Sequence, residues 1–297
     1  MSTPDEKAKD KSANFKKKLT FMRGIEGGIV TVVHTVEQAI TAERNGARAV
    51  IVIGNTATQA MGLGNAEIPR AADPRMVKRI MDHVMLPTFA RVSIGHNMEA
   101  RVMQHSWADG IDENEALAAT SDRNIDYHAL IIPAIAGVSN LQEALEMIKK
   151  GAAALRNKLS DESADRGMAS EDTGTIKQAV VTMQGIKEEI KTIGAMSPDE
   201  RKAHIEGWDV KEKDLERVLE KKRLMVPFFA DGGVYHPMDV AMLMSTGYTG
   251  AIASVQLFQA RNPEKRMRSL VMAAKHHDRP DIIASITEDH GNNGEVV

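Results

Sequence analysis

From about residue 28 onward, short apolar runs alternate with segments whose apolar positions recur at helical spacing. The runs at 28–33, 47–53, 87–94, 109–112, 129–135, 152–157, 226–231 and 250–255 predict strands. Amphipathic stretches at 36–45, 75–84, 97–105, 141–150, 176–193, 237–246 and 264–277 predict the intervening helices. Several strands are apolar throughout rather than alternating, as expected of parallel strands covered on both faces. A local unit recurs: Gly46, Gly151 and Gly247 each stand between a helical stretch and the next strand, where a left-handed helix cap belongs.

Eight strands alternating with helices predict an α/β fold, a closed (β/α)8 TIM barrel over 20–288. An open doubly wound sheet is the alternative, but no Gly-x-Gly-x-x-Gly follows the first strand. Two extra helical segments are expected within 195–221, between strands six and seven, the first opened by Ser197-Pro198 as cap and first helical residue. Residues 159–172 read as a polar, acidic loop after strand six. The charged residues 1–19 are expected to form a disordered arm or frayed helix, and 289–297 a loose tail.

The 297 residues, 42% of them hydrophobic, can enclose one large core. A net charge of −3 with both signs interspersed gives no footprint for nucleic acid or an anionic membrane. No apolar run approaches the roughly 18–20 residues needed to span a bilayer. The first residues lack the apolar stretch of a secretory signal, so a cytoplasmic location is expected. The absence of cysteine excludes disulfides, thiolate metal sites and a cysteine nucleophile. His276-His277-Asp278 matches no zinc spacing, so no metal site is expected. The methionines, including Met238 to Met244, read as core filler, and Trp107 and Trp208 as packing residues. His96 reads as a helix-start hydrogen-bonder.

Barrel chemistry sits where strands end. Asp231-Gly232-Gly233 follows strand seven, where a glycine pair lets backbone N–H groups approach a phosphate or simply makes a turn. Asp231 would repel a phosphate unless a cation intervened.

These residues resemble the PdxS/Snz family, the synthase subunit of glutamine-dependent pyridoxal 5'-phosphate synthase. The resemblance runs from about Gly27 to Thr287. It rests on Gly27-Gly28, Glu37-Gln38-Ala39, Arg70-Ala71-Ala72-Asp73-Pro74, Ile94-Gly95-His96 with Glu99-Ala100-Arg101, and the run Ile111-Asp112-Glu113-Asn114-Glu115. Glu143-Ala144-Leu145, Leu155-Arg156, Ala195-Met196-Ser197, Gly232-Gly233-Val234 and Asn262-Pro263 extend it.

What the resemblance implies is a barrel assembled into hexameric rings, often stacked as a dodecamer, fed with ammonia by a separate glutaminase subunit. The family joins ribose 5-phosphate and glyceraldehyde 3-phosphate through two lysines that hold the sugar as imines, aided by an aspartate. It requires no cofactor; pyridoxal 5'-phosphate is its product. Carried onto this chain, the aspartate falls on Val32 and the first lysine on Arg91, while the second lysine is kept as Lys158 beside Arg156. Thr173-Gly174 matches part of the phosphate loop after the acidic insertion, and the Gly-Ser phosphate contact falls on Ser254-Val255. A glycine pair of the family falls on Ala66-Glu67.

A valine moves no proton, and a guanidinium stays protonated at working pH, so neither position can do the family's chemistry. The expectation is a degenerate member, a structural or regulatory subunit of a homo-oligomer, alone or with an active paralogue. The alternative is an active phosphosugar enzyme with Lys158 as nucleophile. A sugar-phosphate sensor without turnover is a third reading. Arg91 at a barrel mouth needs an anion, expected from Glu113 or Glu115, or from a bound phosphate.

Overall fold

The computed structural model describes residues 4–54, 71–115, 117, 123–158 and 173–291. Eight parallel strands close on themselves in chain order. They are β1 (Ile29–Val33), β2 (Ala49–Val52), β3 (Thr88–Ser93), β4 (Gly110–Asn114), β5 (Ala134–Val138), β6 (Ala154–Asn157), β7 (Phe228–Asp231) and β8 (Gly250–Ala253). Pairing of β1 with β8 seals the barrel, so the sheet has no free edge. The (β/α)8 expectation holds.

Side chains alternate across each strand, which splits the core into two layers. Val30, Ile51, Phe89, Ile135, Ala154, Phe229 and Ile252 fill the barrel interior. Val33, Val50, Ala90, Ile111, Leu155 and Ala251 belong to the layer beneath the helices. A fully buried interior therefore needs apolar residues at both parities, as the runs had indicated.

The helices begin and end as their sequences dictate. Thr35 and Gln38 form a reciprocal capping box on the helix Val36–Arg44, and Ser197 with Glu200 does the same for Pro198–His204. Gly151 and Gly247 close their helices at φ 99° and 112°, conformations that would strain any other residue. Thr173–Ala195, Pro198–His204 and Glu212–Lys221 all lie between β6 and β7. Residues 159–172 and the Ala66-Glu67 position lie outside the described residues.

Five expectations need correction. Residues Pro4–Arg23 form a helix rather than a free arm, because Phe15, Leu19 and Met22 give it an apolar stripe. Met22 and Ile25 enter the barrel interior cluster. Strand five starts at Ala134, not near 129: Tyr127–Ala129 is a 3-10 turn and Ile131 is largely exposed before Pro133. The last helix, Pro280–Gly291, reaches beyond 289, where Asp289 accepts from Lys265 at 2.6 Å. Trp107 is 78% exposed and held at φ 70°, whereas Trp208 does pack against the core. Met238 and Met242 face outward while Met244 is buried, so the methionine run divides between surface and core.

Candidate active site

Strand parity builds the mouth of the barrel. Phe89, Ile135, Ala154 and Phe229 lie in the interior, so the residues two further along (Arg91, Gly137, Arg156 and Asp231) point inward at the C-terminal end. On β4 the inward position beside Arg91 is Asp112, its register partner.

Asp112 organises the layer. Fully buried, it accepts from Arg91 Nε and Arg156 Nε, each at 2.8 Å, and from Asn114 Nδ2 at 3.2 Å. Burial alone would raise its pKa, but the Arg156 and Arg91 charges outweigh that and hold it below the usual carboxylate range. The anionic partner of Arg91 is thus Asp112, not Glu113 or Glu115 as the sequence suggested. Glu113 has the opposite parity and faces the outer layer, while Glu115 is taken by Arg156.

Arg156 is completely buried and uses its whole fork. Nη1 and Nη2 donate to the two oxygens of Glu115 at 2.7 and 2.6 Å, and Nη2 also donates to the Glu113 carbonyl at 3.0 Å. Burial works against its charge, but Glu115 and Asp112 overcome this and keep the guanidinium protonated.

Asp231 is the third carboxylate, with Oδ2 3.6 Å from Arg156 Nε. Burial pushes its pKa up to about 6, only partly opposed by Arg156 and Arg91. Asn157 fixes its backbone at both ends: Asp231 N–H donates to Asn157 Oδ1 at 2.8 Å, and Asn157 Nδ2 donates to the Asp231 carbonyl at 2.9 Å. Arg91 Nη2, Asp231 Oδ2 and His34 Nδ1 are buried without hydrogen-bond partners among the described residues.

The remaining sequence candidates fall as follows. Val32 is buried in the apolar interior, beside Ile51 in register, and its own side chain has no group that could take or give a proton. Lys158 follows β6 and is only partly covered; its Nζ lies 2.9 Å from Glu143 Oε2, making it one half of an ion pair. Gly232 and Gly233 turn directly after Asp231 with φ of 90° and 68°. Ser254 Oγ is engaged as the cap of the 3-10 turn Val255–Gln259. Gly174 lies in the first turn of Thr173–Ala195. His96 caps its helix by accepting from Glu99 N–H at 3.1 Å. Arg91 and Arg156 are therefore brought together through Asp112, and Asp231 joins them through Arg156, with Lys158 nearby: a Cβ on Gly137 would lie 3.1 Å from Lys158 Cγ and 3.2 Å from Arg156 Nη1. Residue type alone does not mark Asp112 as the hub; the signal for it in the chain is its parity with Arg91. Glu143 lay too far along the chain to be paired with Lys158 by spacing.

Among the described residues, no cluster of histidine and carboxylate groups could hold a metal ion, and no helix is long and apolar enough to cross a membrane.

Fold and site together define a (β/α)8 barrel protein with a charged C-terminal mouth. The SOR/SNZ family model matches residues 14–231, and the chain belongs to that family. It is 34% identical over 268 residues to the pyridoxal 5'-phosphate synthase subunit PdxS of Clostridium acetobutylicum, covering 90% of this chain and 88% of that protein. It is 33% identical over 278 residues to the PdxS subunit of Thermus thermophilus, covering 93% and 91%. The subunit SNZERR of the same synthase from Suberites domuncula is 35% identical over 269 residues, covering 90% and 84%. A thiamine phosphate pyrophosphorylase structure from Pyrococcus furiosus shares the fold, with TM-score 0.50 and 18% identity over 86% of this chain and 98% of that one.

Proposed function

We propose that this chain is a PdxS/Snz-like subunit that does not complete pyridoxal 5'-phosphate synthesis and serves as a structural or regulatory member of a ring-shaped oligomer. The observation that carries this reading is Arg91, fixed to Asp112 at 2.8 Å where the family's first imine-forming lysine would stand. An imine needs a neutral amine with a free lone pair, and a delocalised guanidinium in a carboxylate pair offers none. Val32 removes the accompanying acid or base, a loss of about 10²–10⁴ in rate on its own. Loss of the site leaves the outer helices free to keep assembly contacts. The assembly is a homo-oligomer of six or twelve copies in the cytoplasm, joined by an active paralogue where one exists and by a glutaminase subunit.

A second reading rests on Lys158. Its side chain is 38% exposed, and Glu143 at 2.9 Å could take the proton that an imine-forming amine must lose. On that reading the chain processes a phosphosugar with Lys158 as sole nucleophile.

Incubation with ribose 5-phosphate and borohydride, followed by peptide mass spectrometry, separates the two. The first reading expects no adduct at Lys158 and no coenzyme absorbance when ammonia and glyceraldehyde 3-phosphate are added. An adduct that vanishes in Lys158→Met establishes the second. Failure of the purified chain to self-assemble or to join an active relative overturns the subunit role.

A further inference from the structure

The outer face of β4 joins two parts of the molecule that lie at opposite ends of the barrel. The N-terminal helix, α1 (Pro4–Arg23), closes the end away from the mouth with Met22 and Ile25. Lys18 on this helix is 3% exposed, and its Nζ donates to the Tyr127 carbonyl at 2.8 Å. Asn14 Nδ2 donates to the Leu130 carbonyl at 3.1 Å, so the helix holds both ends of the turn that spans Tyr127–Ala129.

Tyr127 is fully buried, and its hydroxyl donates to Glu113 Oε2. Glu113 is 2% exposed and has no cation within ion-pair distance among the described residues. Its carboxylate is satisfied by donors alone: Ile125 N–H at 3.0 Å, Asn124 Nδ2 at 3.2 Å, the Tyr127 hydroxyl, and Gly95 N–H at 2.7 Å. Gly95 sits at φ 74° in the loop after β3, four residues beyond Arg91. A buried carboxylate without a counter-charge is costly unless every donor stays in place, so the donors are interdependent.

We infer that Lys18, Tyr127 and Glu113 form a positional coupling through which the seating of the N-terminal helix sets the loop after β3 at the barrel mouth. The coupling concerns residues outside the charged layer and is independent of whether the mouth retains catalysis. Any ligand or protein that displaces the helix acts through it on the mouth, and by linkage whatever holds the mouth loop also holds the helix. Whether Tyr127 is clamped from below decides whether Glu113 keeps its full set of donors.

Hydrogen exchange of the full-length protein, read by mass spectrometry, tests this. Lys18→Met keeps the aliphatic stem and removes the donor; Tyr127→Phe keeps the ring and cuts the chain at the hydroxyl. With Lys18→Met, exchange in peptides covering residues 94–97 is expected to quicken about tenfold or more, while β6–β8 peptides are unchanged. Tyr127→Phe should loosen the same loop, with the helix, which keeps its own bonds to the turn, loosening less than in Lys18→Met. The double variant should exchange no faster at the loop than the faster single variant, since both cut one chain. Loosening confined to the helix, uniform loosening of the barrel, or additive effects at the loop would each overturn the coupling. If Lys18→Met does not fold, Tyr127→Phe alone decides by whether the loop opens.

Discussion

Arg91 Nε donates to Asp112 Oδ2 at 2.8 Å across the register pair of β3 and β4, and the second oxygen of the same carboxylate holds Arg156 at the same distance. One carboxylate between two guanidinium groups makes the mouth a structural layer as much as a site. In a low dielectric each cation depends on that anion, and the anion depends on both.

Asp112→Asn should therefore be among the most damaging single changes in the barrel. It leaves two buried cations short of a partner, at a cost of about 3–5 kcal/mol. Arg91→Met should cost less, about 1.5–3 kcal/mol, because Asp112 keeps Arg156. Urea midpoints at unchanged m-value measure both, and equal costs would contradict the hub role of Asp112.

Asp231 gives the protein a pH dependence of definite sign. Its folded pKa of about 6 lies above the usual 3.8 because burial disfavours the charged form, despite Arg156 and Arg91 nearby. The unfolded chain then releases this proton first, and stability is lost as pH rises from about 4 through 6. The shift corresponds to a cost on the order of 3 kcal/mol at neutral pH. Asp231→Asn should raise Tm at pH 7.5 and have little effect near pH 4. A difference that stays constant with pH would refute the assignment.

Gly110 packs directly beneath an aromatic ring. A Cβ there would fall on the Phe89 ring and lie 3.0 Å from the Pro133 carbonyl oxygen. Gly110→Ala is expected to destabilise by about 1–3 kcal/mol through overpacking. A thermal melt within half a degree of wild type would show that the ring can yield.

Trp107 presents the opposite case. It is held at φ 70° and is 78% exposed, so backbone strain is stored with little packing in return. Trp107→Gly should stabilise by about 0.5–1 kcal/mol, after the extra entropy of glycine in the unfolded chain. A loss of stability in denaturant titration would mean that the indole makes contacts worth more than the strain.

The barrel was legible in the linear pattern because its signals are local. Apolar runs, cap residues such as Ser197, and the glycines at 151 and 247 each act within a few residues, and each appears where the pattern placed it. Strand five moved because its apolar residues begin before Pro133, in a stretch that docks the N-terminal helix instead of joining the sheet. The same helix was obscured by charge: Phe15, Leu19 and Met22 stand at helical spacing, but lysines surround them.

The site divides along the same line. That Val32 and Arg91 cannot perform imine chemistry follows from residue type, which the chain states outright. Which anion neutralises Arg91, whether Lys158 is free, and how far Asp231 is desolvated depend on contacts 21, 15 and 75 residues apart in sequence. Closure of the sheet fixes those meetings, since strand register selects Asp112 over its neighbours and burial then sets the charge each group can keep.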